Sequence, residues 1–215
     1  MEEPFRDVEP GTRLIETMLW EPGQGVALHR RHRDRLCLSA RKLGFAFDPA
    51  GFDASLAGVD GADPLRLRLT LDASGAIEMT SAAVPPPAAL WRIAVAPGVL
   101  ASADPWLRVK STRRQVYDDM RAALPEGVDE AVFVNEKGHL CEGTICNLLV
   151  ERDGQWVTPP VSDGVLPGVM RAELLARGAV QVAHVPLADL ARATGLGLCN
   201  ALRGRIAAKL VDWPG

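Results

Sequence analysis

Cysteine is scarce in this sequence, and no two cysteines have the CxxC spacing of a redox or zinc motif. The 215-residue chain contains only Cys37, Cys141, Cys146 and Cys199. We therefore expect no disulfide and no zinc site, and we expect the four thiols to be small, mostly buried side chains. His29 and His32 lie three residues apart and could meet on a helix, but we do not interpret them as metal ligands. The sequence thus predicts no metal centre.

Long apolar runs and an excess of positive charge are also lacking. No apolar segment is long enough to span a bilayer, and the acidic start, MEEPFRDVEPG, does not resemble a signal peptide. The formal net charge of −3, from 24 basic and 27 acidic residues, gives no support to a nucleic-acid or anionic-membrane binder. We expect a folded cytoplasmic protein that binds neither nucleic acid nor a membrane.

Residues 1–100 are predicted to form a small N-terminal α/β domain. Leu36, Ala40 and Leu43 recur at helical spacing, and Gly44 follows them, which predicts an amphipathic helix over 28–45. The alternating or apolar segments that predict strands are 13–20, 65–72, 76–84 and 91–97.

Residues 101–106 are predicted to be a linker, and residues 107–215 a larger, strand-rich domain. The expected helices are 111–124 with Ser111 as N-cap, 168–178 and 186–194. The expected strands are 129–135, 139–143, 144–152, 155–160, 180–185 and 195–202. The predicted fold class is therefore mixed, α+β or α/β, with two domains.

The stretch LRVKSTRR, residues 107–114, contains four cations. In a strand, Leu107 and Val109 would share one face, and Arg108 and Lys110 the other. A solvated basic patch is one interpretation. A reactive lysine is the other, because Arg113 and Arg114 could add the positive charge that activates a lysine nucleophile.

Glu142 lies in the otherwise apolar segment CEGTICNLL. A carboxylate in such surroundings needs a cationic or hydrogen-bonding partner, and a protonated heterocycle nitrogen would suit it. The alternative is an exposed glutamate at a bend. Asn147, five residues later, could brace a turn or donate a hydrogen bond inside a site.

Two features are typical of phosphate binding. The segment GVLPGVMR, 164–171, opens a helix whose N–H groups at Gly168, Val169 and Met170 would point at an anion. Arg35, in HRDRL, could clamp a phosphate with its planar guanidinium, or it could be one of several exposed arginines.

The order of these motifs resembles the class IV aminotransferase family, the fold-type-IV enzymes that use pyridoxal 5′-phosphate. The motifs are HxxRL, a lysine at a strand end, EGTxxN, LPGxxR and NALRG. The resemblance covers residues 12–210 and is densest over 108–205, where it is closest to the 4-amino-4-deoxychorismate lyase branch.

The resemblance implies a role for each matching residue at the cofactor. Lys110 would be the Schiff-base lysine, and Glu142 would keep the pyridine nitrogen protonated. Arg35 would bind the phosphate. Val169 and Met170 would bind it at the helix start. Met170 stands where many relatives have threonine, so only its N–H could serve, and the same argument applies to Leu202 in the NALRG loop.

Further roles follow from the same resemblance. Tyr117, the only tyrosine, would contact the cofactor, as would Asn147. Thr17 would be the lyase threonine that protonates the departing enol, although an ordinary strand threonine is the alternative. Arg108 and Arg203 would bind substrate carboxylates.

The resemblance therefore implies a homodimeric pyridoxal-phosphate enzyme acting on an amine. The expected reaction converts 4-amino-4-deoxychorismate to 4-aminobenzoate and pyruvate, a step in folate precursor synthesis. The alternatives are a branched-chain or D-amino-acid aminotransferase and a cofactor-binding member without turnover.

Overall fold

The computed structural model describes residue 5, residues 8–87 and residues 89–213, and the chain divides into two compact units. The first unit contains the described residues up to Pro86 together with Val109–Arg113. The second contains Pro87–Arg108 and the described residues from Arg114 onward. Within this described part, no helix is long and apolar enough to cross a bilayer.

The first unit is a four-stranded antiparallel sheet with two helices. Its strands are β1 (Leu14–Glu21), β2 (Gly25–Val26), β3 (Leu65–Leu71) and β4 (Ile77–Ala83), in the order β2-β1-β3-β4. Its helices are α1 (His29–Leu43), which packs on β1, and α2 (Pro49–Ala57). Helix α1 ends where expected, because Gly44 adopts φ 69°, a left-handed conformation that favours glycine.

The short segment Val109–Arg113 joins the first unit through β1. The N–H of Ile15 donates to the Lys110 carbonyl at 2.8 Å, and the N–H of Thr112 donates to the Arg13 carbonyl at 2.8 Å. This antiparallel bridge places Leu14 opposite Ser111. Lys110 therefore follows β1 through main-chain contacts that do not depend on its side chain.

The second unit is built on an eight-stranded sheet. Its strands are β5 (Trp91–Leu100), β6 (Glu130–Asn135), β7 (Leu140–Gly143), β8 (Asn147–Arg152), β9 (Gln155–Thr158), β10 (Gln181–Val182), β11 (Gly195–Asn200) and β12 (Gly204–Leu210). Their order is β10-β9-β8-β11-β12-β5-β6-β7, and β7 also pairs with β8. Six strands therefore close into a ring, and the fully buried Leu140, Leu148 and Leu198 belong to one core cluster of this unit.

Two α-helices and three 3-10 helices complete the second unit. They are α3 (Gln115–Ala122), α4 (Val169–Ala176) and the 3-10 helices Pro105–Arg108, Val161–Asp163 and Leu187–Arg192.

The expected mixed α/β fold class is confirmed, but several elements differ from the prediction. Residues 91–100 pair with β6 and β12, so they belong to the second unit rather than to the N-terminal one. The strand considered as one interpretation of 106–110 does not form: Pro105–Arg108 are a 3-10 helix, in which Leu107 is buried and Arg108 half-exposed. Part of the predicted linker, 101–106, therefore has regular structure.

Other element boundaries differ from the prediction because tertiary contacts outweigh the local sequence preferences. Ser111 is not a helix N-cap, since its bridge to β1 delays α3 until Gln115. The helix predicted over 186–194 is the shorter 3-10 helix Leu187–Arg192, and the strand predicted over 180–185 is limited to β10. Strand β12 and helix α2 were not predicted, although Asp48 caps α2 by accepting from the N–H groups of Ala50 and Gly51.

Candidate active site

A buried carboxylate on β7 is the centre of the polar cluster in the second unit. Glu142 is 5% exposed, and its carboxylate accepts hydrogen bonds from Tyr117, Asn147 and Leu166. Tyr117 Oη donates to its Oε1 at 2.8 Å, while Asn147 Nδ2 and the Leu166 N–H donate to its Oε2 at 3.0 and 3.1 Å. Donors on both oxygens are what a buried carboxylate requires, so the expectation of an exposed glutamate at a bend is wrong.

The β7–β8 connection explains how Glu142 and Asn147 come together. The two residues are paired across the strands, and the Gly143 N–H donates to the Cys146 carbonyl at 2.8 Å to close the turn. Asn147 Nδ2 also donates to the Leu166 carbonyl at 3.0 Å. One amide side chain therefore both orients the carboxylate and holds the 164–168 loop.

Glu130, which was not predicted as a site residue, supports the β7–β8 turn. Its fully buried carboxylate accepts from the Thr144 N–H at 3.0 Å, from Thr144 Oγ1 at 2.5 Å and from the Ile145 N–H at 3.2 Å. Burial raises the pKa of Glu130 despite these donors and the nearby Arg121. A Cβ on Gly143 would lie 2.8 Å from Glu130 Cγ, which explains the glycine there.

Tyr117 reaches Glu142 from α3. Its ring packs edge-on against Phe133, with centroids 5.4 Å apart, and the Arg114 guanidinium lies 5.5 Å from its centre. Burial, followed by the charge of Glu142, raises the pKa of Tyr117, so the phenol stays a proton donor to the carboxylate. The predicted contact of Tyr117 with a cofactor stays a prediction.

The predicted anion site lies at the start of α4. Gly168 is the N-cap and has no side chain to cap the helix, so the first-turn N–H groups at Val169 and Met170 face outward from the helix end. A Cβ on Gly168 would overlap Asn147 Oδ1. The glycine is therefore required by close packing rather than by its backbone angles.

Three predicted ligands have structural partners of their own. The N–H of Leu202 donates to Asn200 Oδ1 at 3.1 Å, which differs from the expectation that it is directed at a phosphate. Arg108 donates to the carbonyls of Val161 and Ser102 at 3.1 and 3.0 Å, and its role at a substrate carboxylate stays a prediction. The Arg203 guanidinium lies 5.5 Å from the Trp91 ring centre.

Lys110 and Thr17 both belong to the first unit. Because Leu14 lies opposite Ser111, Lys110 lies opposite Ile15, and Thr17 is two residues farther along β1 on the same face. Both Lys110 and Thr17 are half-buried. Their catalytic roles stay predictions.

Arg35 is held by a buried acid that the sequence analysis did not single out. Arg35 Nε and Nη2 donate to the Glu16 carboxylate at 2.8 and 2.5 Å, and His32 Nδ1 lies 2.6 Å from Glu16 Oε2. Burial acts to raise the pKa of Glu16, but Arg35 and His32 outweigh it and hold that pKa at about 2. Nε and Nη2 of Arg35 therefore bind Glu16, and a phosphate bound by Arg35 would have to contact its Nη1.

These features define a class of protein. A closed strand-rich unit with a buried, multiply hydrogen-bonded carboxylate and an open helix N-terminus is the arrangement of fold-type-IV enzymes. The chain belongs to the class IV aminotransferase family, whose model matches residues 13–211.

Individual relatives carry two kinds of name. A Schizosaccharomyces pombe protein provisionally named aminodeoxychorismate lyase is 27% identical over 180 residues, covering 79% of this chain and 75% of the relative. A Mesorhizobium loti crystal structure, provisionally described as an amino-acid aminotransferase, is 41% identical with TM-score 0.88, covering 93% of this chain and 100% of that one. The 4-amino-4-deoxychorismate lyase of Pseudomonas aeruginosa has TM-score 0.80 at 24% identity, covering 95% and 87%.

The family depends on pyridoxal phosphate, and the second unit fits that cofactor chemically. The Glu142 carboxylate, fixed by three donors, is the acceptor that a protonated pyridine nitrogen needs. The open start of α4 suits a phosphate.

Proposed function

We propose that this chain is a pyridoxal-phosphate-dependent lyase that converts 4-amino-4-deoxychorismate to 4-aminobenzoate and pyruvate. The observation that carries the choice is the placement of Thr17 on the same face of the sheet as Lys110, within one unit. A lyase needs a proton donor for the departing enol beside its catalytic base, whereas an aminotransferase does not. The name of the S. pombe relative supports the same choice.

The residues would divide the work as follows. Lys110 would hold the cofactor and then remove the proton from the substrate carbon that bears nitrogen. Bound pyridoxal phosphate supplies an electron sink for that carbon. The enolpyruvyl ether bond on the neighbouring carbon breaks, and Thr17 delivers a proton to the departing enol. The remaining ring becomes aromatic, which makes the elimination strongly favourable.

The other residues would bind rather than react. Glu142 would keep the ring nitrogen protonated, with Tyr117 and Asn147 orienting its carboxylate. The Val169 and Met170 N–H groups would bind the phosphate, helped by Arg35. Arg108 and Arg203 are the candidates for binding the substrate carboxylates.

An aminotransferase is the second candidate, and the 41% identity to the M. loti structure favours it. The two reactions share proton removal at the nitrogen-bearing carbon. They differ afterwards, because a transferase returns the proton to the cofactor and needs a 2-oxo acid acceptor.

One paired assay separates these functions. Purified protein saturated with pyridoxal phosphate is given either aminodeoxychorismate alone or an amino acid (leucine or a D-amino acid) without and with 2-oxoglutarate, and pyruvate, 4-aminobenzoate and glutamate are measured. The lyase releases the two products in equal amounts without an acceptor. Amino transfer that requires the acceptor would establish the transferase, and bound cofactor without turnover would establish a non-catalytic member.

Thr17→Val supplies the sharper test. It should lower acceptor-independent pyruvate release by roughly a hundredfold, the scale of a lost general acid. Thr80→Val is the matched control, since Thr80 lies two strands away in the same sheet. Equal activity of both variants would remove Thr17 from the mechanism.

We also propose that the protein is a cytoplasmic homodimer serving folate precursor synthesis. Light scattering of the purified chain tests the assembly, and a strict monomer at micromolar concentration would contradict it.

A further inference from the structure

Two histidines and an aspartate meet in the second unit, outside the residues assigned to catalysis. His184 Nδ1 lies 2.7 Å from Asp163 Oδ2, and His139 Nδ1 lies 3.4 Å from the same oxygen. One ligand atom from each residue lies within 4.8 Å of both others. The two imidazole rings have centroids 4.9 Å apart. Three strong metal donors therefore face one small volume.

The side chain of Asn135 fixes the backbone of two of these residues, His139 and Asp163. Asn135 Oδ1 accepts from the His139 N–H at 3.0 Å, and Asn135 Nδ2 donates to the Asp163 carbonyl at 3.1 Å. Cys141 Sγ also lies 3.1 Å from that carbonyl. One buried amide thus joins the His139 hairpin to the 3-10 helix that carries Asp163.

The third residue is fixed by backbone hydrogen bonds on its C-terminal side. The Leu140 N–H donates to the Val185 carbonyl at 2.8 Å, and the Leu187 N–H donates to the Gly138 carbonyl at 2.9 Å. The segment after His184 therefore runs beside the hairpin that carries His139. The three ligand residues come from separate segments, and the hydrogen bonds described above connect the His139 hairpin to each of the other two segments.

We propose that His139, Asp163 and His184 form a binding site for a divalent transition-metal ion of the zinc type. Two imidazoles and one carboxylate suit zinc, cobalt and nickel rather than magnesium or calcium, which prefer oxygen ligands. Tetrahedral zinc with bonds of about 2.0–2.2 Å needs donors roughly 3.3–3.5 Å apart. The 3.4 Å between His139 Nδ1 and Asp163 Oδ2 meets this requirement, whereas the 2.7 Å between His184 Nδ1 and Asp163 Oδ2 would have to lengthen on metal binding. The 1% exposed Asp163 supplies the negative charge, and the 57% exposed His184 leaves the ion open to water.

A metal ion at this site would affect the start of the 164–168 loop. Asp163 immediately precedes the 164–168 loop, whose Leu166 N–H donates to Glu142. A bound ion would tie the start of this loop to the hairpin of His139 and to His184. The proposal does not depend on the reaction, because ion binding is measured without substrate.

The test is zinc titration of the cofactor-loaded full-length chain, prepared without a polyhistidine tag and stripped of metals by a chelator. Isothermal titration should give one zinc ion per chain with a dissociation constant of about micromolar or tighter. Cobalt should give the visible absorption bands of a low-coordinate site. His184→Ala should weaken zinc binding at least about a hundredfold, and because His184 is largely exposed this variant should fold.

Two further variants complete the design. Asp163→Asn removes the charged ligand at constant volume and should also weaken zinc binding. His29→Ala is the matched control, because His29 forms a half-exposed pair with Asp53 at 3.0 Å in the first unit and should leave zinc binding unchanged. Binding that is absent below millimolar zinc, or equal in wild type and His184→Ala, overturns the proposal. The three residues would then form only a histidine–aspartate ion pair.

Discussion

The hydroxyl of Tyr117 offers the cleanest perturbation of the Glu142 cluster. Tyr117→Phe removes one oxygen atom and its 2.8 Å hydrogen bond to a 5% exposed carboxylate. The ring contact with Phe133 stays in place. The substitution therefore isolates the hydrogen bond from the packing of the side chain.

The size of the effect follows from burial and charge. A hydrogen bond to a buried charged group contributes about 1.5–3 kcal/mol, and two of the three observed donors would remain. In a chain of this length, 1 kcal/mol shifts the unfolding midpoint by about 2–4 °C. We expect Tyr117→Phe to lower the melting temperature by roughly 3–12 °C.

Tryptophan fluorescence on heating is a suitable assay, because four of the five tryptophans belong to the second unit. Ser74→Ala is the matched control, since Ser74 Oγ donates to the Asp72 carboxylate at 2.7 Å but at the exposed surface. Its melting temperature should change much less. If Tyr117→Phe lowers the melting temperature no more than Ser74→Ala does, burial does not strengthen the contribution of the Tyr117–Glu142 hydrogen bond, and the reasoning is refuted.

Three other substitutions test separate parts of the site. Glu142→Gln can still accept from Asn147 Nδ2 and donate to Tyr117, so it should fold normally while kcat falls at least about a hundredfold, measured by product release. Gly168→Ala should raise the dissociation constant of pyridoxal phosphate about tenfold in fluorescence titration, because its Cβ would displace Asn147. Glu16→Gln should cost about 3 kcal/mol near neutral pH. The pKa of Glu16 is lowered in the fold, so its stabilisation is complete above about pH 4.5 and is lost toward pH 2. Denaturation curves of wild type and Glu16→Gln should therefore converge as the pH falls through that range.

Much of the fold was predictable because its periodicities are local. Helix α1 and strand β3 carry clear apolar repeats and were placed within two residues of their bounds. The failures occurred where distant contacts decide the conformation. Ser111 looks like a helix N-cap, yet its bridge to Leu14 takes it out of the helix.

The residues of the candidate site also divide into those with a local sequence signal and those whose role depends on distant contacts. Glu142 was identifiable because an isolated acid in an apolar segment requires a partner, and the family motif assigned one. Glu16 and Glu130 gave no comparable signal, since their importance comes from Arg35 and Thr144, which lie 19 and 14 residues away. The family motifs identified Arg35 but could not show that Glu16 binds its Nε and Nη2.

The histidine–aspartate cluster had no sequence signature. Asp163 lies 24 residues from His139 and 21 from His184, far from the short spacings that mark zinc motifs. The expectation of no metal centre rested on such spacings alone. Asn135 brings His139 and Asp163 together, and backbone hydrogen bonds between the His139 hairpin and the segment after His184 add the third ligand.

The covalent role of Lys110 is the central claim and can be tested by one measurement. The cofactor-loaded protein is reduced with borohydride, digested with trypsin and mapped by mass spectrometry. The chain has four lysines, Lys42, Lys110, Lys137 and Lys209. We expect a phosphopyridoxyl adduct on the peptide of residues 109–113, which a modified Lys110 keeps uncut, and no adduct in Lys110→Ala. An adduct on one of the other three lysines, or the same adduct pattern in Lys110→Ala, would contradict the assignment.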